Sequence, residues 1–244
     1  MGKNKNLAYL LPIRCIVFPL IFVVGAFITR KDMDDISNWW SIAASVVNVL
    51  LILLLAVMTK RNNSNYWELI NFRKGQTRVK KIVLISIMIL FVGMSGMYIA
   101  GAVCYGVIPY APPMMIAPIP VVLAVLNVLI LPVSTAFAED GLYLGCGVNQ
   151  IKSKYAAIFI PAFFFALQHS FIPTLFDVRF IVYRFLSFFP LTIILCWYYH
   201  KKRDPMPILV GHAIIDVATA MQILATSTIP GFYDKMCSMQ GIKL

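Results

Sequence analysis

Residues 39–58 read WWSIAASVVNVLLILLLAVM, twenty positions without a single charge. As a helix rising 1.5 Å per residue, such a run is about 30 Å long, the thickness of a bilayer's hydrocarbon core. Apolar runs of comparable length flank it on both sides, at 9–29, 82–107, 114–144, 156–172, 180–199 and 207–229. The chain as a whole is 60% hydrophobic and 13% charged, against roughly 25% charged residues in an ordinary soluble domain. The fold class is therefore all-α, a polytopic transmembrane helical bundle of about seven spans. The run 114–144 is long and holds Pro118, Pro120 and Pro132. A kink or a division there is open, and a division would add an eighth segment.

The connections between the runs set the expected orientation. Residues 60–81 carry Lys60, Arg61, Arg73, Lys74, Arg78, Lys80 and Lys81 against one acid, Glu68, which places this loop in the cytoplasm by the positive-inside rule. Counting outward puts the N-terminus with Lys3 and Lys5, the Lys152/Lys154 connection and the Lys201–Arg203 connection on the same side. Fourteen basic residues then lie inside and five outside (Arg30, Lys31, Arg179, Lys235 and Lys243). The protein is expected to be a multi-pass membrane protein with a cytoplasmic N-terminus, and the lipid bilayer is its first partner. The net charge of +11 follows from these loops. No basic stripe interleaved with aromatics stands on a soluble module, so nucleic acid is not expected as a partner. The 60–81 loop, with Trp67 and Phe72, reads either as an interfacial helix on the headgroups or as a solvated connection.

Cys15, Cys104, Cys146, Cys196 and Cys237 are scattered without a CxxC pair, which speaks against a disulfide framework or a thiolate metal site. The first apolar run contains Arg14 and lacks a small-x-small cleavage site, so it is expected to be a retained first helix and not a signal peptide. Residues 1–113 form an N-terminal set of helices with the basic loop, 114–230 a core, and 231–244 a tail.

The chain has ten acidic residues and three histidines. Glu139, Asp140, His169, His212 and Asp216 fall within or at the ends of apolar runs. An ionisable group inside a bilayer costs a few kcal/mol even on permissive scales, so a functional role is the default expectation. His212 and Asp216 are four apart and share one helix face, as do Phe165 and His169. Glu139 and Asp140 are about 100° apart around a helix, so one can face a site while the other holds a neighbouring helix. A carboxylate with an imidazole can polarise a water for attack on an amide. The same group types can hold a zinc ion that acidifies its bound water. Spacing leaves both chemistries open.

These residues resemble the CPBP intramembrane proteases, which include type II CAAX prenyl endopeptidases and bacteriocin-processing or immunity proteins. The family pattern is EExxxR, FxxxH and HxxxN or HxxxD, each on its own membrane helix. The counterparts are Glu139-Asp140 followed by Leu144, Phe165 to His169, and His212 to Asp216, with the resemblance covering roughly residues 115–225. It implies an intramembrane endopeptidase that cuts a peptide or membrane-protein substrate. Glu139 and His169 would activate water, while His212 and Asp216 would stabilise the oxyanion. In the family's metalloprotease form, Glu139, His169 and His212 would include the ligands of a zinc ion.

Two positions depart from the pattern. Asp140 replaces the second Glu, a conservative change if it orients its neighbour. Leu144 stands where the family has arginine, so a cation beside the acidic pair is missing. Arg184 in the sixth run could supply it, but snorkelling toward an interface is its simpler reading. A non-catalytic bacteriocin self-immunity protein would tolerate Leu144, and a small-solute transporter would also bury His and Asp. A transporter would more often show inverted repeats, and none is visible. The depths of the residues are in tension: Glu139 and His212 are placed near the cytoplasmic ends of their runs, His169 well inside its own. A later helix start or a re-entrant segment would reconcile them.

Overall fold

The structure is a computed structural model and describes residues 6–108, 110 and 112–239. Lys3, Lys5 and Lys243, which entered the charge count above, lie outside the described residues. Among those residues the fold is all helical. A 3-10 turn, Leu7–Leu10, leads into α1 (Ile13–Thr29), followed by α2 (Met33–Ser37), α3 (Trp40–Arg61), α4 (Tyr66–Leu69) and α5 (Val79–Tyr105). After a second 3-10 turn, Pro113–Ile116, come α6 (Val121–Asp140), α7 (Lys154–His169), α8 (Val178–Lys202), α9 (Met206–Thr228) and α10 (Phe232–Ser238). Where water is absent the backbone must satisfy its own N–H and C=O groups, and helices do so within one segment.

Six helical runs are long and apolar enough to cross a bilayer: Leu7–Thr29, Trp40–Arg61, Val79–Tyr105, Val121–Val148, Val178–Lys202 and Met206–Thr228. α7 has 16 residues and falls short of that length. Its first end is tied to the 62–78 loop and the α8–α9 turn through Asn149, which bonds Leu69, Asn71, Tyr199 and Arg203. At the opposite end Ser37 donates to the Thr174 carbonyl and Tyr183 to that of Tyr110. Seven helices thus fall at the seven expected runs, six of them long and apolar enough to cross. The fourth is not divided: α6 passes through Pro132 and continues directly into a π-helical stretch, Gly141–Val148. Its wider register shows in the Asn149 N–H, which reaches back five residues to the Leu144 carbonyl at 3.0 Å.

The helices close on one another in a ring. α6 packs on α9, α9 on α5, α5 on α8 and α8 on α7, while α7 returns to the π-helical stretch. α3 lies outside α6, and α1 touches the ring mainly through α7. Small residues permit the closest approaches, as expected where lipid supplies no hydrophobic drive for helix association. A Cβ on Gly96 of α5 would clash with the Ser187 carbonyl oxygen of α8. Large apolar side chains such as Phe27, Phe91 and Val122 point outward, which is the lipid-facing pattern of a membrane bundle.

The loop between α3 and α5 does not stand away from the helices. It folds back against the bundle. Ile70 is fully buried, α4 packs on the π-helical stretch, and the Tyr66 hydroxyl donates to the Phe137 carbonyl. Burial pushes the Tyr66 phenol well above its ordinary range, with the Asp140 carboxylate adding to the effect.

Candidate active site

The polar residues of the apolar runs converge at the centre of the ring. Glu139 and Asp140 close the α-helical part of α6, His169 closes α7, and His212 and Asp216 lie one turn apart on α9. Glu139 and Asp140 are buried, and both carboxylates face His212. Asp140 Oδ1 lies 3.3 Å from His212 Nδ1. Glu139 Oε2 lies 3.8 Å from His169 Nε2 and 3.6 Å from His212 Nε2. His212 Nε2 is also 3.7 Å from Asp216 Oδ2. His212 therefore stands among three carboxylates.

The two oxygens of Glu139 are treated differently. Oε1 accepts a hydrogen bond from Arg14 Nη2 at 2.7 Å. Oε2 is buried without a hydrogen-bond partner among the described residues and faces both imidazoles. His169 is held in turn: its Nδ1 lies 2.8 Å from the Phe165 carbonyl, and a carbonyl can only accept. Nδ1 must then carry the proton, which leaves Nε2 of the neutral ring with its lone pair toward Glu139. The ring stacks on Phe188 at 3.7 Å and 13°. The Phe165–His169 spacing of the sequence motif is thus a main-chain tether for the histidine.

Arg14 is the residue that sequence reasoning passed over. It is 1% exposed and reaches three other helices. Nε donates to Gln168 on α7, Nη1 to Asn48 on α3 and Nη2 to Glu139 on α6. Asn48 extends the network to Thr135 at 2.8 Å, and Tyr143 donates to Gln168 at 3.1 Å. A cation does stand beside the acidic pair, but it comes from α1. The motif position itself holds Leu144, fully buried in an apolar cluster with Leu7, Leu10 and Leu69. The signal was present: a lone arginine in the middle of an apolar run is costly enough to demand a partner.

Arg184 does not snorkel. It is 3% exposed, and its Nε and Nη2 donate to the carbonyls of His169 and Ile172, each at 3.0 Å. The expected conflict of depths also has a structural answer. Helical structure continues beyond Glu139 to Val148, so the acid lies further inside its helix than a run ending at Leu144 implied, while His169 sits at the very end of α7.

A cavity of about 110 Å³ opens onto these groups, with Glu139, His169, His212, Asp216, Arg14 and Arg184 on its wall. The rest of the lining is mainly apolar. The imidazoles and carboxylates are donor types that zinc accepts, but among the described residues no group of three His, Cys, Asp or Glu side chains is disposed to hold a metal ion.

The fold and the site together define a class: an integral membrane helical protein with a carboxylate–histidine centre inside its bundle. The family follows from comparison with known proteins. Residues 121–218 match the type II CAAX prenyl endopeptidase Rce1-like family, in agreement with the CPBP resemblance. The matched stretch contains Glu139, Asp140, His169, His212 and Asp216, and excludes Arg14. No curated protein and no solved structure matches the chain.

Proposed function

We propose that the protein is an intramembrane endopeptidase in which Glu139 and His169 activate a water for attack on a peptide bond. The observation that carries this reading is the asymmetry of Glu139. One oxygen is pinned by Arg14, and the other is unpartnered and faces two imidazole nitrogens at 3.6 and 3.8 Å. Those separations are longer than a hydrogen bond but short enough for one water to touch both sides.

In this scheme the water donates one hydrogen to Glu139 Oε2 and the other to His169 Nε2. As its oxygen attacks the carbonyl carbon, Glu139 takes the proton. His212 donates from Nε2 to the developing oxyanion, and Asp140 at Nδ1 fixes the ring's orientation. Asp216, one turn along α9, steadies the same Nε2 side. When the tetrahedral intermediate collapses, the C–N bond breaks and Glu139 returns its proton to the leaving amine. Leu144 would argue for an inactive member if the motif arginine were the only source of a cation, and Arg14 supports the catalytic reading by supplying one.

The substrate class follows from the family name: apolar peptides or membrane proteins, with an isoprenoid-modified cysteine near the C-terminus as the first candidate, approached from the cytoplasmic side. The test is cleavage of such peptides, with and without the isoprenoid, by the purified protein in vesicles. Wild type is expected to cleave. Glu139→Ala and His169→Ala are expected to fall by about 10²–10⁴-fold, the range of a general base. Equal cleavage by all three sinks the proposal. Elemental analysis of the same preparations tests the metal route: a zinc ion that is stoichiometric in wild type and lost in His212→Ala would replace this scheme.

A further inference from the structure

A second cavity, of about 420 Å³, shares no lining residue with the one at the carboxylate–histidine centre. It forms where the start of the first helical run, the end of α3, the docked α4 segment and the end of the π-helical stretch meet. Apart from Leu7, Leu69 and Gly145 its lining is polar. Bonds between the walls fix its shape. Gln150 accepts from the Leu7 N–H, Asn71 donates to Asn149 at 2.8 Å, and Asn149 donates to the Leu69 carbonyl at 2.6 Å. Two opposite charges, Glu68 and Lys152, also line it. They form no ion pair with each other or with any other charged group among the described residues. Glu68 Oε2 accepts from the Ser64 hydroxyl at 2.7 Å and from the Asn65 N–H at 3.3 Å, which orients the carboxylate without neutralising it.

We infer that this cavity is a binding site for a phosphoethanolamine group, carried by a membrane lipid, with Glu68 on the ammonium and Lys152 on the phosphate. The inference is independent of the peptidase reading. Position argues for a lipid. Leu7 and Thr59 lie at the ends of two runs long enough to cross a bilayer, and Gly145 lies in the last turn of a third. The cavity is therefore level with the headgroups of one leaflet. Trp67, next to Glu68, is half-exposed, as suits a side chain at the membrane interface. Charge selects the headgroup. A primary ammonium has three N–H donors to give a carboxylate, each a charge-assisted bond. A choline group has none and is recognised by aromatic cages, whereas no ring lines this cavity among the described residues. A headgroup with phosphate alone would satisfy Lys152 but set an anion against Glu68. Once seated, the group ties the docked loop to the turn that follows the π-helical stretch.

The test is displacement of a phosphatidylethanolamine, labelled with a fluorophore on one acyl chain, from the purified full-length protein in detergent micelles. The competitors are unlabelled phosphatidylethanolamine, phosphatidylcholine, phosphatidylglycerol and water-soluble O-phosphoethanolamine. Wild type is expected to prefer phosphatidylethanolamine over the other two lipids by at least about tenfold, the scale of a charge-assisted bond. Glu68→Gln is expected to bring phosphatidylethanolamine and phosphatidylcholine level. Glutamine still completes the capping box at the start of α4, so the loop keeps its local fold. Lys152→Met is expected to weaken both lipids about equally and to leave their ratio unchanged. Equal displacement by the two lipids in wild type, or a preference that persists in Glu68→Gln, overturns the site. So does an affinity that Lys152→Met leaves intact. Strongest displacement by phosphatidylglycerol would reduce the binding to attraction by the basic loops and overturn it too. Displacement by O-phosphoethanolamine as effective as by the lipid would make the occupant a soluble phosphoamine and overturn the lipid assignment.

Discussion

The stretch 121–218 and the helices before it divide the site between them. The matched stretch brings the ionisable groups of the centre: Glu139, Asp140, His169, His212 and Asp216. The earlier segments bring what holds those groups: Arg14 on α1, Asn48 on α3 and the docked loop around Tyr66 and Asn71. The acidic pair is thus completed by a cation that lies outside the motif and outside the match. The lesson is that a missing motif residue need not be a missing charge, because a helix distant in sequence can deliver it to the same place.

The largest effect is expected where the two regions meet through charge. Arg14→Gln would leave Glu139 buried without its cation and also disturb the bonds to Asn48 and Gln168. Breaking a buried pair by removing one partner costs about 3–5 kcal/mol, read as a large drop in the midpoint of thermal unfolding in detergent. Arg14→Lys is expected to fall between this variant and wild type, since lysine keeps the charge but not the fork that serves three partners. Wild-type stability in Arg14→Gln would show that the division drawn above is wrong.

A medium effect is expected where the regions meet through shape. Gly141 starts the π-helical stretch directly after the acidic pair, and a Cβ there would lie 2.7 Å from the Tyr66 hydroxyl and 3.1 Å from Leu55. Gly141→Ala is expected to cost about 1–3 kcal/mol by overpacking and to lift α4 off its seat. Protease sensitivity of the 62–78 loop reads the displacement. An unchanged loop would mean that α4 adjusts without leaving.

The seven runs were legible because length and hydropathy alone select a membrane helix, and the motif spacings reported side-chain pairs within one helix. What stayed hidden were contacts between helices. Nothing in sequence spacing links position 14 to position 139, and the continuation of α6 beyond Leu144 depends on a π-helical register that hydropathy does not encode. Arg184 was misjudged for a related reason: an arginine near a run's end looks the same in sequence whether its head reaches water or, as here, the carbonyls at the end of a neighbouring helix.

The smallest effect is expected where the regions meet through neutral hydrogen bonds. The Tyr199 hydroxyl on α8 donates to the Ile70 carbonyl at 2.8 Å and accepts from Asn149 at 2.8 Å and Asn71 at 3.1 Å. Tyr199→Phe keeps the ring and removes only this junction, so it should cost about 1 kcal/mol, near the net worth of a neutral hydrogen bond. The Ile70 carbonyl would lose its partner, and faster amide exchange across residues 66–72 is the direct reading of a loosened loop. Arg14, Glu139, His169 and His212 lie on other helices and keep their bonds, so turnover should stay near wild type while the loop opens. A fall in turnover alongside the faster exchange would mean that the docked loop helps to shape the site. In that case the holding region would reach the chemistry through the loop as well as through Arg14.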